Sequence, residues 1–466
     1  MLAQGRHFRL SDVDRLEQMP HLGGRRLHKQ PVAGLGKGEQ FPGLHVGGKW
    51  MIERLARFGV VGLALLAAQP VLAVDKGLLS AAKAERAAAV KTLEKLVNIE
   101  TGTGDATGLA EMANFLEAEL KTLGFAVERS PAVGMREGRK VVGDNIVGRL
   151  KGSGGKNLLL MAHMDTVYTR GKLATAPFRI DGNKAYGPGI ADAKSGIAVI
   201  LHSLKLLQSR GFDKFGTITV LFNVDEEQGS VGSRDLIIAE AAKADYVLSF
   251  EPTSIAPEGM TYGTSGIGSV VATVTGRSAH AGAAPEQGVN ALVEASDLVM
   301  RTYDLDQGPG GLRFNWTMSE AGNVPNIVPD RAVLRGDIRY PTNALYEAFL
   351  KDLAARAAKQ KLPEAKIELA TDPGRPAFAA NEGGKALIAK AVAIYKDLGY
   401  TLATAPITGG GTDAAYAAKS GKPVVEALGL PGFGYHTTSD EYVMTDAIPR
   451  RLYLASTMIM DLAQGK

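Results

Sequence analysis

The 466-residue chain contains no cysteine. That single absence removes disulfides, thiolate nucleophiles, Cys-ligated zinc and iron–sulfur clusters. Any metal must therefore be held by histidine and carboxylates. It assigns no redox compartment, because a chain with an adequate core can be exported without disulfides. Net charge is also scarce: 53 Lys+Arg stand against 49 Asp+Glu, a formal +4, too small to argue for a nucleic-acid partner. The excess is local, since residues 1–50 hold eight basic and four acidic side chains, leaving 45 of each over residues 51–466. The amino-terminal apolar run, Phe58–Ala68, has 11 residues and stops at Gln69-Pro70, well short of the roughly 20 that a membrane span requires. With 45% hydrophobic and 22% charged residues, the chain is a globular one of two-domain length rather than a disordered one.

Arg54 and Arg57 precede that apolar run, and Val71-Leu72-Ala73 follows it with small residues at the −3 and −1 positions. This is the layout of a secretory signal over residues 51–73. It predicts export, cleavage near Ala73, a periplasmic or secreted mature chain and no stable membrane anchor. Such signals sit at the true amino terminus. Residues 1–50 are therefore expected to be an over-extended start of translation or a disordered basic arm. They carry four of the eight histidines (His7, His21, His28, His45), irregularly spaced.

Beyond Ala73, helical periodicity alternates with short apolar runs rich in β-branched residues. Helices are predicted over residues 80–98, 106–123, 194–208 and 233–242, with strands over 145–150, 157–161, 217–222 and 246–250. That alternation predicts an α/β fold with a mostly parallel sheet covered by helices. From about Gly266 the texture changes. Residues 269–275, 313–317 and 332–339 alternate as half-exposed antiparallel strands, with helices at 289–302 and 344–360. An α+β domain over residues 265–375 is thus expected as an insert into a discontinuous domain of residues 74–264 and 376–466. The latter resumes with helix 383–398, a short strand into Thr408, helix 413–418, strand 423–426 and a last helix at 447–464.

Ionisable residues follow each apolar strand. Leu158–Ala162 leads into His163-Met164-Asp165, Thr217–Phe222 into Asp225-Glu226-Glu227, and Val247–Phe250 into Glu251-Pro252. Gly187-Pro188-Gly189-Ile190-Ala191-Asp192 stands at the head of a helix, and His436 follows Gly434-Tyr435. In open α/β sheets ligands bind outside the carboxyl ends of the strands, so these residues are expected to converge on one crevice. Any one of them alone reads as a helix cap, a solvated loop carboxylate or a hydrogen-bonded histidine. Together, two histidines and several carboxylates suit paired Zn²⁺ ions. Gly409–Gly411 with Thr412-Asp413 lacks the Lys-[Ser/Thr] of a phosphate loop, and close backbone approach to a substrate is the better reading. His202 reads as structural.

In order along the chain, His163-x-Asp165, the Gly-rich approach to Asp192, Asp225-Glu226-Glu227, Glu251-Pro252, Ser278-Ala279-His280-Ala281-Gly282, Gly409–Asp413 and His436 resemble the di-zinc exopeptidases of the glutamate carboxypeptidase and aminoacylase group. Segments such as SFEPTS, HAGAAPE, LRFNWT and GGGTDAAYAA are most similar to its periplasmic, folate-hydrolysing glutamate carboxypeptidases. The resemblance covers residues 74–466. It implies a metallocarboxypeptidase with two Zn²⁺ per subunit, bridged by Asp192, with His163 and Glu251 completing one site and Glu227 and His436 the other. The three carboxylates and a bridging hydroxide then balance the charge of the ions. Asp165 would accept the second imidazole N–H of His163 and fix its tautomer. Glu226, left without a metal, would be the general base. His280 of the insert would reach the active site of a second subunit, which implies a homodimer through a lid and dimerisation domain. Asn326, Arg339, Arg375 and Gly411 would meet the substrate, the arginines holding its carboxylates bidentately; Arg339 by itself reads equally well as a surface charge. The implied substrate is a small N-acyl-glutamate or folate-like conjugate, with an aminoacylase or dipeptidase of other side-chain preference as the alternative within the group. A zinc- or solute-binding protein that kept the fold is a third reading, disfavoured by the retained Glu226. One departure from the group stands after the bridging aspartate, where the usual second acidic residue is Ala193; the group holds that peptide bond cis.

Overall fold

The computed structural model describes residues 74–136, 139–437 and 440–466. The expected export signal of residues 51–73 and the 50 residues before it lie outside the described residues. Among those described, no helix is long and apolar enough to cross a membrane.

Six strands form the central sheet in the order Ala126–Pro131, Asp144–Lys151, Thr217–Asn223, Leu158–His163, Tyr246–Ser249, Val424–Val425. The last four run parallel. The first two pair antiparallel with each other, and the second pairs antiparallel with Thr217–Asn223, so the sheet is more mixed than its apolar runs suggested. Parallel neighbours need a crossover of a dozen or more residues, usually a helix, and the short stretch 132–143 holds none. Ala126–Pro131 escaped the sequence reading because it is an edge strand with no buried residue. Leu158–His163 lies at the centre and is buried at every position, which is why it reads as a continuous apolar run.

Helices cover the sheet. Lys76–Val97 begins where the Asp75 carboxylate accepts the Leu78 N–H at 2.9 Å, and it buries Leu78, Ala82, Ala89, Leu93 and Leu96 at helical spacing. It packs against Ser195–Ser209 and Ile448–Ala463. Ser195–Ser209 is buried nearly all round, as a helix must be when covered on one side by the sheet and on the other by neighbouring helices.

Residues 266–375 build a separate antiparallel sheet in the order Arg313–Ala321, Arg331–Tyr340, Gly266–Thr275, Lys366–Arg375. Along Gly266–Thr275 buried Val270, Ala272 and Val274 alternate with more exposed residues, so one face carries the core. Helices Ala291–Thr302 and Asn343–Ala357 close that core, which forms two apolar clusters that share no residue with the larger one. The strand Lys366–Arg375 was absent from the sequence reading, being a polar edge strand. Where the chain leaves and re-enters the larger sheet region, Gly263–Thr264 pairs antiparallel with Phe378–Ala379. The two crossings are thereby tied together.

The parallel register is what assembles the site. His163 stands opposite Asn223, and Met161 opposite both Leu221 and Ser249. The chain therefore leaves three adjacent strands at one edge of the sheet, immediately before Asp165, Asp225–Glu227 and Glu251.

Candidate metal centre

His163 ends its strand and is 1% exposed. Its Nδ1 lies 3.0 Å from the backbone carbonyl of Asp165. A carbonyl only accepts, so the proton sits on Nδ1 and Nε2 faces the crevice. Nε2 is 3.0 Å from Asp192 Oδ1 and 3.6 Å from Glu251 Oε2. The other oxygen of Asp192, Oδ2, is 3.4 Å from Nε2 of His436, which is 3.2 Å from Glu227 Oε2. Asp192 thus stands between two pairs, His163 with Glu251 and Glu227 with His436. His163, Asp192 and Glu227 offer ligand atoms that all lie within 4.8 Å of one another. The Asp192–Ala193 peptide bond is cis, with Ala193 fully buried.

Electrostatics confirm how crowded this cluster is. Burial pushes the Glu251 carboxyl up to about 8 and raises Glu227 as well. Hydrogen bonds to Asp192 and Glu227 raise His436 to about 10. Burial works against the charged His163 imidazole, but Glu251, Asp165 and Asp192 together lift it well above its usual value. Asp192, opposed by burial, is held low by the two imidazoles. Protons balance the negative charge here, and a cation would displace them. Glu227 Oε1 is buried without a hydrogen-bond partner among the described residues, an arrangement that is costly unless an ion takes it up. The donor set, all imidazole nitrogen and carboxylate oxygen, fits zinc.

The role foreseen for the Asp165 carboxylate is amended by this geometry. The main-chain carbonyl of Asp165 takes the imidazole proton, and the carboxylate stands 3.4 Å away. The carboxylate instead accepts the N–H groups of Glu226 (3.1 Å) and Glu227 (3.2 Å) and the Thr103 hydroxyl (2.7 Å). It seats the turn that carries both glutamates.

Glu226 is 8% exposed, and burial raises its carboxyl well above the usual range. It is paired with Arg375. That guanidinium also donates to the Glu226 carbonyl (2.7 Å), the Gly411 carbonyl (2.8 Å) and Ser230 Oγ (3.2 Å), and it stands 3.5 Å from Asp413. At 3% exposure, its fork is filled by the protein in this conformation, where a substrate carboxylate was expected. Gly411 is where the backbone comes close: a Cβ there would lie 3.0 Å from the Ser265 carbonyl and 3.2 Å from Arg375 Cδ.

A cleft of about 820 Å³ opens over the centre, bounded by Asp192, Glu226, Glu227, Glu251 and His436 on one side and by Ser269, Asp337, Arg339 and Asp372 on the other. Arg339 is held bidentately by Asp337 at 2.9 and 3.1 Å, with its side chain 40% exposed. His280 and Asn326 do not line this cleft. They sit together on an exposed part of the 266–375 region, where Ala281 N–H donates to the Asn326 carbonyl at 2.9 Å. The His280 Nδ1 accepts the N–H groups of Gly282 (3.2 Å) and Ala283 (3.1 Å), which leaves Nε2–H as its free donor. His202 is structural as read, bonded to Glu85 (2.6 Å) and Thr92 (2.8 Å) between two helices.

Sequence reasoning missed Glu441 and Tyr168, two buried or half-buried polar residues joined by a 2.7 Å hydrogen bond behind Asp192. Neither stands at a diagnostic spacing. In Asp440-Glu441-Tyr442 the carboxylate reads as an ordinary turn residue.

Residues 159–461 match the peptidase family M20/M25/M40. Over 392 residues the chain is 63% identical to carboxypeptidase G2 of Pseudomonas sp. (strain RS-16), covering 84% of this chain and 93% of that protein. It is 29% identical over 355 residues to succinyl-diaminopimelate desuccinylase of Rhodospirillum centenum, covering 72% and 87% of the two. Among solved structures, aminopeptidase PepT from Bacillus cereus is similar in fold with a TM-score of 0.67 at 24% identity, covering 81% of this chain and 99% of that one.

Proposed function

The chain belongs to peptidase family M20/M25/M40, and from that footing we propose that it is a di-zinc carboxypeptidase releasing glutamate from N-acyl conjugates such as folates. The observation that carries the reading is Asp192, one oxygen turned to His163, which meets Glu251, and the other to His436, which meets Glu227, beside an unligated Glu226. The 63% identity to a carboxypeptidase over most of both chains supports the substrate class.

Two zinc ions held by these five residues would polarise the scissile carbonyl and acidify water. Glu226 accepts the proton as water oxygen adds to the carbonyl carbon. It then delivers that proton to the amide nitrogen as the C–N bond breaks, so that free amine and carboxylate leave. For this, Arg375 must loosen its hold on the Glu226 carboxylate, and a substrate carboxylate is the natural competitor for its fork. Arg339 faces the same cleft and is assigned to the second carboxylate of glutamate. The 265–375 region is assigned as a lid through which two subunits pair, with His280 donating Nε2–H to the oxyanion in the partner subunit's cleft and Asn326 beside it. Residues 51–73 are assigned as the export signal, giving a periplasmic or secreted mature enzyme from about Val74.

The test is glutamate release from a folate analogue before and after chelation. Release that stops on chelation and returns with zinc is expected. Chelator-insensitive hydrolysis would overturn the mechanism, and a preference for neutral carboxy-terminal residues in a panel of N-acyl amino acids would overturn the substrate class.

A further inference from the structure

Asp192 lies in an irregular turn, Ile190–Lys194, whose Asp192 and Ala193 dihedrals are not helical. The N–H groups just before the helix Ser195–Ser209 therefore lack their usual intrahelical acceptors. One side chain takes three of them. Glu441, 3% exposed, accepts Ala191 N–H at 2.9 Å and Asp192 N–H at 3.1 Å on Oε1, and Gly189 N–H at 2.9 Å on Oε2. The Tyr168 hydroxyl donates to Oε2 at 2.7 Å. All four partners are donors, which suits an ionised carboxylate and no other side chain.

The four contacts join three segments that each carry a proposed ligand. Tyr168 lies five residues after His163, Asp192 is itself a ligand, and Glu441 lies five residues after His436. The strand Tyr442–Met444 pairs with Lys184–Tyr186, and Gly187 N–H donates to the Glu441 carbonyl at 3.2 Å. The backbone thus anchors Glu441 beside the turn that its side chain grips. Gripping the Asp192 N–H fixes the Cα from which the bridging carboxylate projects.

We propose that Glu441 is a positioning residue that sets the Asp192 carboxylate between the two metal positions, with Tyr168 completing its hydrogen bonds. The proposal rests on the metal-holding reading of Asp192, and the experiment separates the two. Metal-free wild type, Glu441→Gln and Tyr168→Phe are titrated with Co²⁺ while its visible absorption is followed, and their thermal unfolding is measured without metal. Wild type that takes up no cobalt would overturn the metal-holding reading itself. Glutamine puts an amide NH₂ opposite a backbone N–H. Glu441→Gln is therefore expected to weaken cobalt binding by ~10-fold or more and to alter the absorption, with metal-free unfolding within a few degrees of wild type. At saturating metal, kcat should fall while KM stays within about twofold. Tyr168→Phe is expected to move affinity the same way by a smaller factor, about 2–5-fold, and it decides the matter should Glu441→Gln not fold. Unchanged cobalt affinity and spectrum in a folded Glu441→Gln, or in Tyr168→Phe where it must decide, would overturn the positioning role.

Discussion

At the scale of single residues, the site is a set of buried charges that need one another. Glu226 is held at its backbone N–H by Asp165 and at its carboxylate by Arg375. Glu226→Gln keeps that shape and removes the base. It should retain metal by elemental analysis and lose turnover by about 10²–10⁴-fold; full activity in that variant would refute the role. Arg375 is wedged between Glu226 and Asp413. Replacing it with methionine leaves two buried carboxylates without their cation, a loss on the order of 3–5 kcal/mol, to be read from urea unfolding. The proposed ligand set was assembled from sequence because each member follows an apolar run or a glycine-rich approach in the chain. The engagement of Arg375 was not, since an arginine 36 residues before Gly411 carries no mark of which carboxylate it will meet.

At the scale of elements, the buried strand Leu158–His163 and the glycine turn before Asp192 do most to place the chemistry. Gly189 has φ 70°, and a Cβ on it would lie 2.3 Å from Thr166 Cγ2. Gly189→Ala is therefore expected to distort the turn and reduce metal content, measured after dialysis against limiting zinc, with most of the fold intact by circular dichroism. Helices were read from sequence to within a few residues, because their apolar period marks them; the caps Asp75 and Asn290, which start two of them, went unread. The longest strands missed are edge strands. Ala126–Pro131 and Lys366–Arg375 pair on one side and bury little, so the alternation they carry, as at Ile367 and Leu369, is short and weakly apolar.

For the whole molecule, stability should depend on whether protons or cations neutralise the centre. In the metal-free protein Glu251 sits near 8 and His436 near 10, both raised above their ordinary values. The folded state then binds more protons than the unfolded one, so stability falls as pH rises. Lys194, lowered to about 7 by burial, works in the opposite sense above that pH. Between pH 5 and 7 His202, lowered by burial, opposes the trend, but Glu251, with Glu227 and Asp225 raised alongside it, outweighs that single imidazole. Thermal unfolding with chelator present should shift downward across that range, and zinc should remove most of that slope; a metal-free midpoint that rises with pH would contradict the charge assignment. The 266–375 region leaves Leu292, Val293 and Met300 exposed on the helix Ala291–Thr302, and Tyr303 exposed just after it. Analytical ultracentrifugation is expected to give a dimer, and a monomer at micromolar concentration would remove His280 from the mechanism.

The amino-acid sequence by itself determined that metal ligation falls to histidine and carboxylate, that helices alternate with buried strands, and that ionisable residues stand where those strands end. These are local properties, fixed by composition, period and the order of neighbours. Only the tertiary structure decided which carboxylate oxygen faces which imidazole, that Asp165 seats the Glu226–Glu227 turn, and that Arg375 and Glu441 are buried in the machinery rather than free on loops. Their partners lie tens to hundreds of residues away in the chain, brought together by sheet register and helix packing. No spacing along the sequence encodes such a contact.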